Sequence, residues 1–197
     1  MGKEDDCIDA DGYRANVGII VANDAGKVLL AGRHGRRGWQ FPQGGIKPDE
    51  TPEQAMLREL HEELGLHATD IDILGATPDW IRYRLPKRYV RKNSMPLCIG
   101  QKQIWYALRL TSPDEAIVLD ATDEPEFDRW RWVDFWRPVN EVIYFKRRVY
   151  ARALYELGGQ VFSEDVPRQP AWWPARWRRA FEKDLHKARA APASEQG

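Results

Sequence analysis

Acidic residues are concentrated in one stretch, GGIKPDETPEQAMLRELHEELGL at 44–66, at spacings that suit metal and phosphate chemistry. Glu59, Glu62 and Glu63 are three and four positions apart, so a helix would place them on one side. Like charges at this spacing repel by roughly 0.2–0.5 kcal/mol per pair, and anions in a last turn also face the negative end of the helix dipole. A bound cation would remove both penalties. Carboxylate oxygens on a rigid helix suit Mg²⁺ or Mn²⁺ better than zinc.

The same stretch carries the signals that begin and end a helix. Thr51 and Gln54 occupy capping-box positions, Pro52 falls at the first helical position, and Gly65 offers a left-handed stop. The residues that would share its apolar face are Met56, Leu57, Leu60 and Leu64. The pattern therefore predicts an amphipathic helix with core on one side and acid on the adjoining side.

An arginine within this helix supports a functional interpretation of the acids. Arg58 lies four residues before Glu62 and can pair with a carboxylate and hold its orientation. One glutamate alone is typical of a solvated helix face. The three glutamates together with the arginine favour a metal site.

These residues also match a long motif, G-x5-E-x7-R-E-U-x-E-E-x-G-U, in which U is aliphatic. The matching positions are Gly44, Glu50, Arg58, Glu59, Leu60, Glu62, Glu63, Gly65 and Leu66. In this motif the chain resembles the Nudix hydrolases. The resemblance implies an α/β/α sandwich with a mixed β-sheet that cuts a diphosphate linked to another moiety, with a divalent metal held by the glutamates of the motif.

Six further segments resemble the bacterial RNA pyrophosphohydrolase branch of that family, which is similar to dinucleoside polyphosphate hydrolases. They are GYRANVGIIV at 12–21, WQFPQGG at 39–45, YRLPKR at 83–88, IGQKQIWY at 99–106, PEFDRWRWV at 125–133 and VIYFKRRVY at 142–150. The likeness covers about residues 11–157. It implies hydrolysis of the 5′-triphosphate or diphosphate end of RNA to a 5′-monophosphate, which promotes mRNA decay.

The resemblance also implies roles for individual residues. Arg14 and Arg33 match phosphate contacts, and Glu126 matches a metal ligand outside the motif. The positions that match contacts to the nucleotide or RNA are Trp39, Gln40, Tyr83, Gln101, Phe145 and Lys146. The arginines, Arg58 included, would complete an electrostatic cradle for the phosphates. Glu63 or Glu126 would accept the proton from the attacking water, and the sequence leaves both open.

Charge along the chain is segregated, although 30 basic and 30 acidic residues give a formal net charge of zero. The segment 80–92 interleaves Trp80, Tyr83 and Tyr89 with six cations, whereas 114–128 is acidic. The six cations are Arg82, Arg84, Lys87, Arg88, Arg91 and Lys92. A basic aromatic strip beside an acidic metal site suits a polyanion whose bases can stack. A solvated surface strand or loop is the alternative interpretation of the strip.

Length and composition favour one catalytic domain at 13–157, an N-terminal arm at 1–12 and an extension at 158–197. Expected strands lie near 15–22, 27–32, 70–84, 99–110 and 129–133, with a turn at 22–26 and a late helix over 138–157. In that helix Lys146 falls inside an apolar stripe and Phe145 about 100° off it, which predicts a first turn that overhangs the active site.

The extension begins with a predicted linker over 160–170 and ends in about eight residues expected to be disordered. Trp173, Trp177, Phe181 and Leu185 recur every four residues, which predicts a short helix starting near Pro174. Its aromatic stripe favours docking on the chain's own domain or on a twin subunit. RNA or protein binding is the alternative.

Other features exclude several classes of protein. Cys7 and Cys98 are too few for a disulfide framework or a metal knuckle. No signal peptide or membrane span is visible, so the protein is expected in the cytoplasm. The predicted partner is 5′-phosphorylated RNA rather than DNA or a membrane, and a protein activator or self-association has no signature. A dinucleoside polyphosphate hydrolase and a non-catalytic RNA-binding module are the alternative functions.

Overall fold

The computed structural model describes residues 7–35, 37–90, 95–163 and 165–190, which form eight strands and four α-helices. The strands are β1 (Tyr13–Ala22), β2 (Val28–Arg33), β3 (Trp39–Gln40), β4 (Gln43–Gly45), β5 (Ile71–Ala76), β6 (Ile81–Arg84), β7 (Gly100–Leu110) and β8 (Phe127–Val133). The helices are α1 (Pro52–Leu64), α2 (Pro138–Glu141), α3 (Arg147–Phe162) and α4 (Ala175–Ala190). The short strands β3 and β4 were not predicted, because two or three residues show no alternation.

All eight strands belong to one mixed sheet, whose main path runs β3-β2-β1-β7-β5. β1 and β7 are parallel over their length, from Tyr13 opposite Gly100 to Ala22 opposite Arg109. The other pairs are antiparallel, with β4 on β1, β6 on β7 and β8 on β2. The predicted turn between β1 and β2 is present, where Gly26 N donates to Asn23 O at 2.9 Å.

Helices cover both faces of the sheet, which confirms the predicted α/β/α sandwich. On one face α1 buries Leu60 and Leu64 completely against β1 and β7. On the other face α3 buries Tyr150, whose ring lies 5.0 Å from that of Phe41 and 5.1 Å from that of Trp105. The apolar surface removed from water on both faces is what fixes the helices to the sheet.

The prediction of one helix over 138–157 is wrong. The chain leaves the helical region at Val142 (ψ 155°) and Ile143 (ψ 138°), passes through a 3₁₀ turn at Tyr144–Lys146, and re-enters the helix as α3. Val142 is buried whereas Ile143 is 42% exposed, so no single apolar stripe crosses the break. Phe145 and Lys146 belong to the 3₁₀ turn, so the predicted helical phase does not apply to either side chain.

The C-terminal extension packs against the α3 side of the domain. The predicted helix is confirmed by α4, which begins at Ala175. Trp173 and Phe181 are buried in the same core as α3, and Trp136 Nε1 donates to the carbonyl of Pro167 at 2.9 Å. Docking on the chain's own domain is therefore what the structure shows.

Some predictions fall outside the described residues. They concern part of the N-terminal arm, the basic residues Arg91 and Lys92, and the last seven positions, where disorder was expected. Cys7 and Cys98 are both unpaired thiols. Among the residues that the structure describes, no helix is long and apolar enough to cross a bilayer.

Candidate active site

Helix α1 positions the acidic residues through the predicted caps. Thr51 Oγ1 accepts from the Gln54 amide at 3.2 Å while Gln54 Oε1 accepts from the Thr51 amide at 2.9 Å, and Gly65 ends the helix at φ +69°. These two caps fix the helical phase. Because Leu60 and Leu64 then face the core, the acids must face the adjoining cavity.

Arg58 joins the carboxylates of the helix to each other and to the sheet. Its Nε and Nη2 donate to the two oxygens of Glu50 at 2.5 and 2.9 Å, and Nη2 also donates to the carbonyl of Gly45 at 2.8 Å. Its Nη1 donates to Glu59 at 2.7 Å and to Glu62 at 3.2 Å. The hydrogen bond from Arg58 lowers the pKa of Glu50 to about 2, and the same pairing raises the pKa of Arg58. The network stays charged and ties α1 to β4.

Glu63 is the most deeply buried of the acids, with 5% of its surface exposed. One carboxylate oxygen accepts from the Gln43 amide at 2.9 Å. Burial, followed by the negative charges of Glu126 and Glu59, raises the pKa of Glu63 well above its usual range. Burial also raises the pKa of Glu59. This end of the cavity therefore holds more negative charge than the protein alone compensates.

Glu126 reaches the cavity from outside the helix, one residue before β8. Its Oε1 accepts from Gln40 Nε2 at 3.0 Å and lies 3.9 Å from Arg33 Nε. About two fifths of the Glu126 side chain is exposed, in contrast to Glu63. The fold thus brings together two carboxylates that are 63 residues apart in the sequence.

The acids and several cations line one cavity of about 530 Å³. Its floor is the glycine pair of β4. A Cβ atom at Gly44 would lie 1.7 Å from Glu59 Cδ, and one at Gly45 would lie 2.4 Å from Arg14 Nη2. Both positions must therefore lack a side chain for Glu59 and Arg14 to occupy their places.

The donor set fits a hard divalent cation, because every candidate ligand is a carboxylate and the buried members repel one another. In the described part of the chain, no group of three His, Cys, Asp or Glu side chains is already arranged to hold a metal ion. The hydrogen bonds from Arg58 to Glu59 and Glu62 account for this arrangement, because they direct both carboxylates at the guanidinium. The carboxylates would have to turn from Arg58 to bind a cation.

Most of the predicted substrate contacts lie around this cavity. Arg14 and Gln101 line it, and Tyr83 OH donates to Gln101 Oε1 at 2.6 Å. Lys146 Nζ donates to Gln43 Oε1 at 3.0 Å, and burial lowers the pKa of Lys146 to about 8. Lys146 therefore faces the acids although it belongs to a 3₁₀ turn rather than to a helix.

Trp39 and Phe145 occupy different surroundings from the rest. The ring of Trp39 in β3 is half-buried, and the Arg131 guanidinium lies over it, 4.0 Å from the centroid of the ring. Trp39 is not among the residues that line the cavity. Phe145 packs 6.0 Å from the ring of Tyr83 and is also not among the residues that line the cavity. Their contacts with a nucleotide remain predictions.

Gln43 is a site residue that the sequence analysis did not predict. Its amide holds Glu63 and its side chain receives the hydrogen bond from Lys146, so it connects the acids to the cations. Its position directly before the two glycines of β4 was the available signal. Asn16 and Glu124 also line the cavity, and neither carried a recognisable pattern.

Comparison with known proteins agrees with this geometry. A model of the NUDIX domain matches residues 12–153, and the chain belongs to this family. Nudix hydrolases generally use divalent metals.

Relatives in sequence carry a more specific name. The chain is 59% identical to the RNA pyrophosphohydrolase of Alkalilimnicola ehrlichii over 83% of its own length and 90% of the relative's. It is 58% identical to the RNA pyrophosphohydrolase of Pseudomonas putida, over 80% and 99% of the two chains.

Solved structures share the fold at lower identity. The Escherichia coli dihydroneopterin triphosphate pyrophosphohydrolase is 18% identical with a TM-score of 0.57, over 72% of this chain and 94% of that one. A Caenorhabditis elegans Ap4A hydrolase is also 18% identical, with a TM-score of 0.52 over 72% and 94%. These two likenesses show the fold alone.

Proposed function

We propose that the protein is an RNA 5′-pyrophosphohydrolase that converts 5′-triphosphate or diphosphate ends of RNA to 5′-monophosphate ends. The observation that carries the proposal is one cavity with an acidic wall on α1 and a cationic wall made by Arg14, which lines the cavity, and by Lys146, whose ammonium donates to the lining residue Gln43. Such a pair of walls suits a metal-bound polyphosphate. The relatives named RNA pyrophosphohydrolase indicate which polyphosphate. Because the proposed substrate is cellular RNA, the enzyme would act in the cytoplasm.

Glu59, Glu62, Glu63 and Glu126 are the residues that would hold Mg²⁺ or Mn²⁺. Bound there, the cation would polarise a phosphate oxygen and acidify a water molecule. Glu59 and Glu63 supply the buried negative charge, whereas Glu62 and Glu126 each keep about two fifths of the side chain exposed and leave an approach for substrate. Arg58 would keep the carboxylates ordered before substrate arrives.

The remaining residues bind and orient the polyphosphate. Arg14 and Arg33 would neutralise its charge from two strands, and the Lys146 ammonium would contact a phosphate oxygen from the turn before α3. Glu63 and Glu126 both stay candidates for the proton acceptor, because both lie at the acidic end of the cavity. Glu63 accepts a backbone hydrogen bond that fixes its orientation, and Glu126 is the more exposed of the two.

A side-by-side assay tests the proposal. The purified full-length protein is given 5′-triphosphate RNA or a dinucleoside tetraphosphate, with and without Mg²⁺, and release of phosphate and pyrophosphate is measured. We expect metal-dependent release from the RNA with the higher kcat/KM. Preference for the dinucleotide would favour the alternative hydrolase, and failure to cleave either substrate would leave only the RNA-binding interpretation.

A further inference from the structure

A cluster of aromatic rings extends from the catalytic cavity to the protein surface. Tyr89 and Tyr144 are 41% and 53% exposed, and their rings lie 5.1 and 5.4 Å from the ring of Phe145. Phe145 in turn packs 6.0 Å from Tyr83, whose hydroxyl contacts the cavity residue Gln101. The rings therefore form a continuous path that begins at the cavity and ends in solvent.

Arg88 holds the two exposed tyrosines together although they are 55 residues apart in the sequence. Its guanidinium lies 5.0 Å from the centroid of the Tyr89 ring and 5.6 Å from that of Tyr144, and Nη2 donates to the Tyr144 hydroxyl at 3.4 Å. Both tyrosine rings remain about half exposed, so the protein does not gain the free energy that their full burial would contribute. A cation between them makes a surface that can bind both π-systems and negative charge.

A second cavity, of about 330 Å³, is lined in part by Phe145 and Tyr83 of this cluster. Three of its arginines, Arg82, Arg84 and Arg148, make no hydrogen bond or ion pair with the described residues. A fourth is already neutralised. It is Arg152, which pairs with Glu156 at 2.6 Å and with Asp184 at 3.3 Å. Three uncompensated guanidinium groups in one cleft attract a polyanion.

We propose that these features form a downstream groove, which binds the single-stranded RNA that follows the nucleotides held in the catalytic cavity. The groove consists of the rings of Tyr89 and Tyr144, Arg88 between them, and the cleft arginines. Bases stack on the rings and the guanidinium groups follow the phosphodiester backbone, which is how single-stranded nucleic acid is bound without regard to sequence. The inference depends on the proposed function and adds a second binding region to it.

RNA fits this surface better than a protein partner does, for two reasons. The path of rings is continuous with the catalytic cavity, and the charged residues that line the second cavity are all arginines. A dinucleoside polyphosphate has no chain beyond its second nucleoside and would not extend along the groove. The groove therefore predicts that substrates gain affinity with length.

The test compares 5′-triphosphate RNAs of two and ten nucleotides on the full-length protein. We expect the ratio of kcat/KM for the long RNA to that for the short RNA to exceed one. It should fall about tenfold in the Tyr89→Ala/Tyr144→Ala double variant, because each lost ring removes a stacked base. The Tyr89→Phe/Tyr144→Phe variant keeps both rings and should keep the ratio. Trp172→Ala, which removes an exposed ring elsewhere (47% exposed), is the matched control.

The ratio of kcat/KM for the long and the short RNA distinguishes loss of the groove from loss of catalysis and from misfolding. A misfolded variant would lose activity on both RNAs and leave the ratio unchanged. An unchanged ratio with normal activity on both RNAs would overturn the groove and point to a protein partner for these rings. The proposed hydrolase function would be unaffected.

Fluorescence anisotropy with a 5′-monophosphate ten-nucleotide RNA measures the affinity of the groove for RNA without turnover. If wild type cleaves no RNA but the double variant loses affinity about tenfold, the proposed function fails and the groove survives.

Discussion

The acidic and cationic walls of the catalytic cavity are built in different ways. The acids Glu59, Glu62 and Glu63 lie within five residues of one helix, and Arg58 of the same helix connects two of them. The cations come from distant segments, with Arg14 in β1 and Lys146 in a turn 132 residues later. One wall is therefore a local structure and the other is assembled by tertiary packing.

Burial affects both walls in the same sense. It raises the pKa of Glu63 and lowers the pKa of Lys146 to about 8, so each group is pushed toward its neutral form. Loss of hydration therefore exceeds the attraction between the two walls. The cavity is incomplete without charges from outside, which is the state expected of a site that receives a cation and a polyphosphate together.

Substitutions in the acidic wall should lower kcat more than substitutions in the cationic wall. We expect Glu63→Gln and Glu62→Gln each to lower kcat on triphosphate RNA by about 10² to 10³-fold while the fold stays intact, since a metal ligand or proton acceptor is removed. Phosphate release and circular dichroism provide the measurements. Glu53→Gln, at an exposed position of the same helix, is the control. Near-normal activity in both purified site variants would contradict the assignment.

The local network of Arg58 should control stability rather than substrate affinity. Glu50→Gln is expected to lower the free energy of unfolding by about 2 kcal/mol at neutral pH, a value reduced for the solvent that reaches the pair. Because the pKa of Glu50 in the folded protein is about 2, its contribution is complete above pH about 4.5 and is lost as the pH falls toward 2.

Denaturant titrations at several pH values test the Glu50 prediction. The difference between wild type and Glu50→Gln should shrink steadily between pH about 4.5 and 2. Glu53→Gln, at an exposed position of α1, is the control for the loss of a carboxylate. A difference that stays constant over this range would mean that Glu50 stabilises the protein by some other contact.

The floor beneath the acids offers a finer test. In Gly44→Ala the new Cβ would meet the Glu59 carboxylate, which can turn aside, so we expect little change in thermal stability. Displacing one metal ligand should raise the Mg²⁺ concentration for half-maximal activity about tenfold. Gly159→Ala is the control, because a Cβ there meets no atom within 4 Å. An unchanged metal requirement would exclude Glu59 as a ligand.

The cationic wall should affect substrate affinity most and fold least. Lys146→Met removes the ammonium but keeps a similar apolar side chain. We expect KM for triphosphate RNA to rise about fivefold, in line with the loss of one charge-assisted hydrogen bond. Stability should not fall, because a desolvated charge disappears. Lys27→Met, at an exposed position, is the control, and a large loss of stability would show that Lys146 is structural.

The sequence by itself determined helix α1 and its chemistry. The caps at Thr51 and Gly65, the apolar side of the helix and the spacing of Arg58 from Glu62 all depend on contacts within a few residues of one another. Such contacts follow from the 3.6-residue period, which can be counted along the chain. The family motif added the class of reaction.

Only the tertiary structure decided how the cationic wall is made. The break at Val142 and Ile143 overturned the predicted continuous helix, and it places Lys146 against Gln43, 103 residues earlier. It also brings Tyr144 to Arg88. Contacts at such separations depend on how the sheet and helices pack together, and no local period encodes them.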